Sequence, residues 1–140
     1  MKGAAGAALA SSAVVALSVV LLPWYALDAY EPNGWNATDW ARGAAAAAIV
    51  TIMLVRFGFC RTAVLEAAVA LGCVAYCVIS PPDFGFGFDG LSVPVERRIG
   101  CWVALGASSL ALLASARLAW SSWRGSRREG TTPSSAAASP

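Results

Sequence analysis

The feature of this sequence that most constrains its fold is a set of four apolar blocks that carry almost no charge. The blocks run from residues 4–22, 40–57, 62–79 and 100–120. None of them has the polar face by which a soluble amphipathic helix meets water. Each approaches the roughly 20 apolar residues that cross about 30 Å of hydrocarbon. The blocks therefore predict membrane spans.

Spans of this kind must be helices, because hydrocarbon offers no partner for an unpaired backbone amide and four segments cannot close a barrel. The second block is the weakest, since its uncharged part is short and Arg42 and Arg56 must snorkel to the interfaces. We predict an all-α polytopic membrane protein, a four-helix transmembrane bundle with short loops over residues 1–123. Residues 124–140, rich in Ser, Pro and small residues, are predicted to form a disordered cytoplasmic tail.

Composition agrees with a membrane location. The chain of 140 residues is 58% hydrophobic and 13% charged, against about 25% charged in an average soluble domain. The first block has a signal peptide as its alternative, because Lys2 precedes it and residues 26–29 loosely resemble a cleavage site. Its length, and the interfacial sequence Pro23-Trp24-Tyr25 at its end, favour a span.

Basic residues predict the orientation. Lysine and arginine flank the first span, the turn between the second and third spans, and the end of the fourth span, at Lys2, Arg56, Arg61, Arg124, Arg127 and Arg128. The positive-inside rule places these segments, and both chain termini, in the cytoplasm of a multi-pass protein of the cell membrane. The other two loops are net acidic and are predicted to lie outside, with Arg97 and Arg98 as exceptions to the rule.

The chain carries few residues suited to catalysis. It contains no histidine, and its four cysteines, at positions 60, 73, 77 and 101, match no zinc-binding spacing. We therefore predict no enzyme, no cofactor, no metal site and no nucleic-acid partner. Cys77 and Cys101 fall near the outer ends of sequential spans and form a candidate disulfide, although a role as buried small hydrophobes is sufficient.

Two ionisable residues lie well inside spans, Glu66 in the third and Arg117 in the fourth. Measured from the flanking arginines at 1.5 Å per residue, their depths overlap. Because lone charges rarely face lipid, the two residues form a candidate intramembrane ion pair. The alternative is that each side chain snorkels separately to the cytoplasmic interface.

Aromatic and small residues indicate contact surfaces. The outer hairpin between the first two spans carries five aromatic side chains that form a candidate partner surface, at Trp24, Tyr25, Tyr30, Trp35 and Trp40. Small residues at 44–48, at Ala68 and Gly72, and at 106–109 allow helices to approach closely. They can serve the internal bundle, which we favour, or a homo-oligomer.

The order of these features carries a resemblance. A first span that ends in Leu22-Pro23-Trp24-Tyr25, a short outer loop with Trp35, Asp39 before an Ala-rich second span, and an Arg-flanked cytoplasmic turn follow one another. This succession resembles the small four-span membrane proteins of high-GC actinobacterial-type genomes, a group of unassigned function. The resemblance implies a bacterial inner membrane and carries over no catalytic residue.

Two classes of function remain open at this point. The first is a structural or accessory membrane protein that binds the lipid bilayer together with a membrane-protein partner or a second copy of itself. The alternative is a subunit of a transporter or channel, which normally needs polar groups facing a shared cavity at mid-membrane. Glu66 and Arg117 both lie toward the cytoplasmic side, so the first class is favoured.

Overall fold

The computed structural model describes residues 2–26, 30–82 and 95–129, and these residues are mostly helical. The helices are α1 (Lys2–Leu21), α2 (Gly34–Ala37), α3 (Asp39–Arg56), α4 (Cys60–Ile79) and α5 (Ile99–Glu129), and the strands are β1 (Tyr25–Ala26) and β2 (Glu96–Arg97). Three helices contain segments long and apolar enough to cross a membrane, Gly3–Leu21, Cys60–Ile79 and Ile99–Arg124. The chain therefore has the helices of a multi-pass membrane protein.

The long helices follow the apolar blocks. Except at the end of α5, their bounds lie within two residues of those predicted from the sequence. Helix α3 differs from the other three because its 18 residues include Asp39, Arg42 and Arg56. These charges lie in the first and last turns of the helix, so its middle remains apolar.

The long helices pack through small side chains. Helix α1 contacts α3 and α5, and α4 also contacts α3 and α5. Ala44, Ala45, Ala47 and Ala48 are buried on α3, and Ala107 and Ser108 are buried on α5. Alanine and serine allow the close backbone approach on which membrane helices rely for packing.

One predicted internal face is wrong. Ala68 and Gly72 are exposed on α4, and a Cβ placed on Gly72 would find no atom within 4 Å. Helix α4 instead buries Ala63, Ala67, Ala70, Val74 and Cys77. The periodicity of 3.6 residues separates the two faces, so a small-residue pair does not identify the packed side by itself.

The segments at one end of the helices form a hydrogen-bonded cap, which we define as residues 22–26, 30–38, 80–82 and 95–98. Helix α1 ends two residues before Pro23, which cannot continue it. Strands β1 and β2 then pair antiparallel, with Tyr25 opposite Arg97 and Ala26 opposite Glu96. Two segments that are about seventy residues apart in the sequence are thus joined at the cap.

The end of α5 corrects the predicted start of the tail. The helix continues through Glu129, so residues 124–129 are helical rather than disordered. No proline interrupts this stretch, and Trp120 and Trp123 stack within it at 5.5 Å between ring centroids. The remainder of the predicted tail, residues 130–140, lies outside the described residues.

Candidate functional site

The cap is built around the indole of Trp24. This side chain is fully buried, and its Nε1 donates a hydrogen bond to the Ser18 carbonyl at 2.9 Å. Two glycines border this side chain. A Cβ on Gly34 would lie 2.7 Å from Trp24 Cε2, and a Cβ on Gly100 would lie 2.6 Å from the carbonyl oxygen of Pro23, the residue before Trp24. The Trp24 ring therefore fills a slot that only glycine at both positions leaves open.

The backbone N–H and carbonyl of Trp24 are also hydrogen-bonded. Its N–H donates to the Pro32 carbonyl at 3.0 Å, and its carbonyl accepts from the Arg98 N–H at 2.8 Å. The Cys101 Sγ also donates to this carbonyl, at 3.1 Å. Trp24 thus connects the cap to the first turn of α5.

Tyr25 connects the cap to α4. The side chain is fully buried, and its hydroxyl donates to the Cys77 carbonyl at 2.9 Å. Burial, followed by the neighbouring Cys77 and Cys101 thiols, raises the pKa of the Tyr25 phenol well above its ordinary value. The phenol therefore stays neutral and acts as a hydrogen-bond donor at physiological pH.

These positions correct the predicted partner surface. Trp24 and Tyr25 belong to the core, because β1 turns the chain inward and buries both rings. Tyr30, Trp35 and Trp40 remain about half exposed, as predicted for a contact surface. The structure adds Tyr76, whose exposed ring packs on Trp40 with 4.9 Å between centroids. We call these four residues the cap aromatics; Tyr30 and Trp35 belong to the cap, and Trp40 and Tyr76 lie in the adjoining turns of α3 and α4.

Trp35 is held in place by Arg42. The Arg42 guanidinium lies 5.6 Å from the centre of the Trp35 ring, and its Nε donates to the Trp35 carbonyl at 2.8 Å. Asp39 accepts from the same guanidinium at 2.9 Å. A cation over an indole is worth about 0.5–1 kcal/mol at an exposed site. The exposed indole is therefore fixed in orientation by α3.

The remaining arginines of the cap are also engaged. Arg98 pairs with Glu31 at 3.1 Å and with Glu96 at 3.9 Å, and Arg97 donates to the Val78 carbonyl at the end of α4. Each base therefore has a local partner within the net-acidic loop that is predicted to lie outside.

A crevice of about 370 Å³ opens beside the cap aromatics. It lies between the start of α3 and the end of α4, and it is lined by Thr38, Trp40, Tyr76, Cys77, Ser80, Pro81 and Pro82. Its two rings and two prolines present apolar surface next to the Thr38 and Ser80 hydroxyls. The crevice is therefore mixed in polarity and is not an apolar pocket.

The predicted disulfide is absent, because Cys77 and Cys101 are both free. Both residues are buried in the same core cluster. Their thiols lie beside the Tyr25 hydroxyl, and the Cys101 thiol is hydrogen-bonded to Trp24 as described above. The two cysteines therefore pack against the cap.

The predicted ion pair is also absent from the described residues. No salt bridge joins Glu66 to Arg117, and the two lie at different depths. Cys77 on α4 and Cys101 on α5 both contact the cap and so lie at the same level along the bundle. Glu66 is eleven residues from Cys77, or about 16 Å, whereas Arg117 is sixteen residues from Cys101, or about 24 Å. Arg117 also faces a groove that is lined by α1 and α5 alone.

The buried polar groups of the helices are short hydroxyls. Ser11, Ser18, Thr51 and Ser108 donate to carbonyls of their own helices, as hydroxyls in membrane helices commonly do. Ser12 and Ser115 are buried without a hydrogen-bond partner among the described residues. The described part of the chain also contains no group of His, Cys, Asp and Glu side chains that could hold a metal ion.

The fold and its cap define the class of this chain as a mostly helical protein with three helices able to cross a membrane. No protein-family model, no curated protein and no solved structure matches the chain.

Proposed function

We propose that the chain crosses the membrane four times, with α3 as the span beyond the three identified by length and apolarity. At 1.5 Å per residue the 18 residues of α3 extend about 27 Å, close to the thickness of the hydrocarbon core. Its three charged residues lie in the terminal turns, where their side chains reach the interfaces. Its alanine face packs against α1 and α4, so the three charges cost little in a bilayer.

We also propose that both termini are cytoplasmic. Arg56 and Arg61 flank the turn between α3 and α4, at the end of the helices opposite the cap, and both are exposed. The arginines of the cap are partnered by carboxylates, carbonyls or an indole. Six basic residues flank the helices at the end opposite the cap, against three near the cap at Arg42, Arg97 and Arg98. The positive-inside rule assigns the more basic end to the cytoplasm of the cell membrane.

The role that this geometry supports best is that of an accessory membrane protein whose cap binds a membrane-protein partner or a second copy of the chain. One observation carries the proposal: Trp35 packs against Arg42 and Trp40 against Tyr76, and yet both indoles remain about half exposed. The same cap buries Trp24 and Tyr25. Rigid exposed aromatic side chains are typical binding anchors, because little conformational entropy is lost when they are covered.

Site-specific photo-crosslinking in the native membrane tests this role. A photoreactive amino acid replaces Trp35 in one variant and Trp102, which is exposed on α5 outside the cap, in the matched control. We expect a discrete protein adduct from position 35 and adducts only with lipid from position 102. Equal protein adducts from both positions, or none from position 35, would contradict a binding role for the cap.

The transport or channel alternative ranks second. The specific observation in its favour is the pair of buried unpaired hydroxyls on Ser12 and Ser115. The four hydroxyls bonded to their own helices indicate tight packing rather than a polar path. An ion-flux assay in vesicles that contain the purified chain separates the two roles, since an accessory protein conducts no ions.

A further inference from the structure

A groove of about 770 Å³ runs between α1 and α5, on the side of the molecule away from α4. It extends along α1 from Gly3 to Val14, eleven residues or about 16 Å, and along α5 from Val103 to Arg117, fourteen residues or about 21 Å. Half of the roughly 30 Å hydrocarbon core is about 15 Å. The groove therefore covers the leaflet at the end of the molecule opposite the cap and reaches into the other leaflet.

The groove exists because its floor is made of small side chains. Glycine and alanine occupy most of the α1 positions that line it, and Ala107 and Ala114 line it on α5. Leu110 and Leu113 form its exposed wall. The one hydroxyl in the lining, that of Ser11, donates to the Ala7 carbonyl at 2.6 Å. The surface thus offers apolar contact along its whole length.

Arg117 is the one charged residue in this lining. Its side chain is exposed, and no hydrogen bond or ion pair of Arg117 is found within the described residues. It lies sixteen residues, or about 24 Å, from Cys101, the same offset as that of Arg61 from Cys77. The adjacent Leu118 packs in one cluster with Val55 and Cys60. The Arg117 guanidinium therefore lies at the level of the turn between α3 and α4, where a lipid phosphate can reach it.

An apolar groove with a cation at its interfacial end is complementary to a molecule that carries both an apolar chain and an anionic group. We propose that the groove binds an anionic phospholipid, with an acyl chain along α1 and α5 and the phosphate on Arg117. Basic pockets between membrane helices on the cytoplasmic side commonly receive anionic head groups. The guanidinium matches phosphate by its paired N–H donors, and the acyl chain covers the alanine floor.

This site is separate from the cap, so it depends on the membrane location of the chain and not on the proposed partner. The full chain is reconstituted in vesicles of phosphatidylcholine mixed with phosphatidylglycerol and is then extracted in mild detergent. Native mass spectrometry measures the ratio of the two lipids that stay bound. The variants are Arg117→Gln and Arg117→Lys, with Arg61→Gln as the matched control for loss of an exposed arginine at the same end.

We expect the wild-type chain to retain phosphatidylglycerol in preference to phosphatidylcholine. In Arg117→Gln the ratio of the two bound lipids should fall about fivefold, because one basic contact with an anionic lipid supplies about that factor. Arg117→Lys should keep part of the preference, because it preserves the charge but not the paired N–H donors, and Arg61→Gln should keep all of it. An unchanged ratio in Arg117→Gln, or an equal loss in Arg61→Gln, would overturn the proposal, since the charge effect would then be diffuse.

A second variant tests the apolar part of the groove. Ala7→Leu places a larger side chain on its floor, and Ala46→Leu, at an exposed position on α3, is the matched control. We expect Ala7→Leu to release bound phosphatidylglycerol and Ala46→Leu to retain it. If Ala7→Leu instead converts a dimer to a monomer and leaves lipid retention unchanged, a second copy occupies the groove and the lipid proposal is wrong.

Discussion

Trp24 shows how a single side chain determines the shape of the cap. Its ring is enclosed by Gly34 and Gly100, its Nε1 is bonded to Ser18, and its backbone contacts Pro32 and Arg98. A large aromatic ring contributes more buried apolar surface than any other side chain in this region. The same enclosure leaves no space for a methyl group at either glycine.

The variant Gly100→Ala tests this enclosure. The added Cβ would meet the Pro23 carbonyl oxygen at 2.6 Å, and that carbonyl is held by the Gly100 N–H itself. We expect a loss of about 1–3 kcal/mol in unfolding free energy, as is usual for overpacking. The control Gly106→Ala has no atom within 4 Å and should be neutral or slightly stabilising. Equal effects in detergent unfolding would refute the tight contact.

The buried phenol of Tyr25 predicts a pH dependence. Its pKa is raised in the folded state above the ordinary value of about 10. Its contribution to stability is therefore fully present below about pH 10 and declines as the pH rises toward the folded pKa. Unfolding free energy measured across alkaline pH should fall less steeply in Tyr25→Phe than in the wild type. Identical slopes would mean that Tyr25 ionises normally in the fold.

Single residues were only partly predictable from the sequence. The sequence predicted one contact surface from five aromatic residues, but Trp24 and Tyr25 point inward while the other three are about half exposed. Their orientation depends on the pairing of β1 with β2, which joins segments distant in the sequence. The alternation of apolar and polar residues cannot reveal this pairing, because each strand is only two residues long.

At the scale of elements, α3 owes its close packing to its alanines. Ala45 is buried, whereas its neighbour Ala46 is exposed, so the two positions differ in environment but not in residue type. This difference provides a matched pair for mutation.

Ala45→Leu should destabilise the fold by about 1–3 kcal/mol, because the larger side chain forces the helices apart. Ala46→Leu should have little effect, since its side chain faces away from the other helices. Chemical unfolding in mild detergent measures both variants. A comparable loss in the two would show that α3 is not packed through its Ala45 face.

The register of α4 and α5 determines how Glu66 and Arg117 respond to mutation. Because they lie at different levels and no ion pair joins them, Glu66→Gln and Arg117→Gln should have additive effects within about 0.5 kcal/mol. A double-mutant cycle measures the coupling. A coupling energy well above that value would restore the ion pair predicted from the sequence.

Helix bounds could be predicted well, because apolar blocks and flanking charges define them locally. The axial position of α4 relative to α5 could not be predicted, because the depth estimate assumed that Arg61 and Arg124 lie at the same level. The tight connection of Cys77 and Cys101 to Tyr25 and Trp24 fixes a different offset. The packed face of α4 could not be predicted either, because the pair of small residues at Ala68 and Gly72 does not identify the buried side of a helix.

At the scale of the whole molecule, the four long helices divide the chain between two ends. At the cap end lie the segment that joins α1 to α3 and the residues that precede α5. At the opposite end lies the short turn between α3 and α4. The cap aromatics and the groove with Arg117 lie at opposite ends of the molecule. The proposed crossing of the bilayer by α3 together with the other long helices therefore places the cap aromatics and Arg117 toward opposite sides of the membrane.

Thiol labelling on intact cells tests this crossing. Variants of a chain whose native cysteines are replaced by serine carry one new cysteine, in Asn36→Cys at the cap or in Phe59→Cys in the turn after α3, both at exposed positions. We expect a membrane-impermeant maleimide to label Asn36→Cys on intact cells and Phe59→Cys only after the membrane is permeabilised. Labelling of both variants, or of Phe59→Cys alone, on intact cells would contradict four spans with cytoplasmic termini.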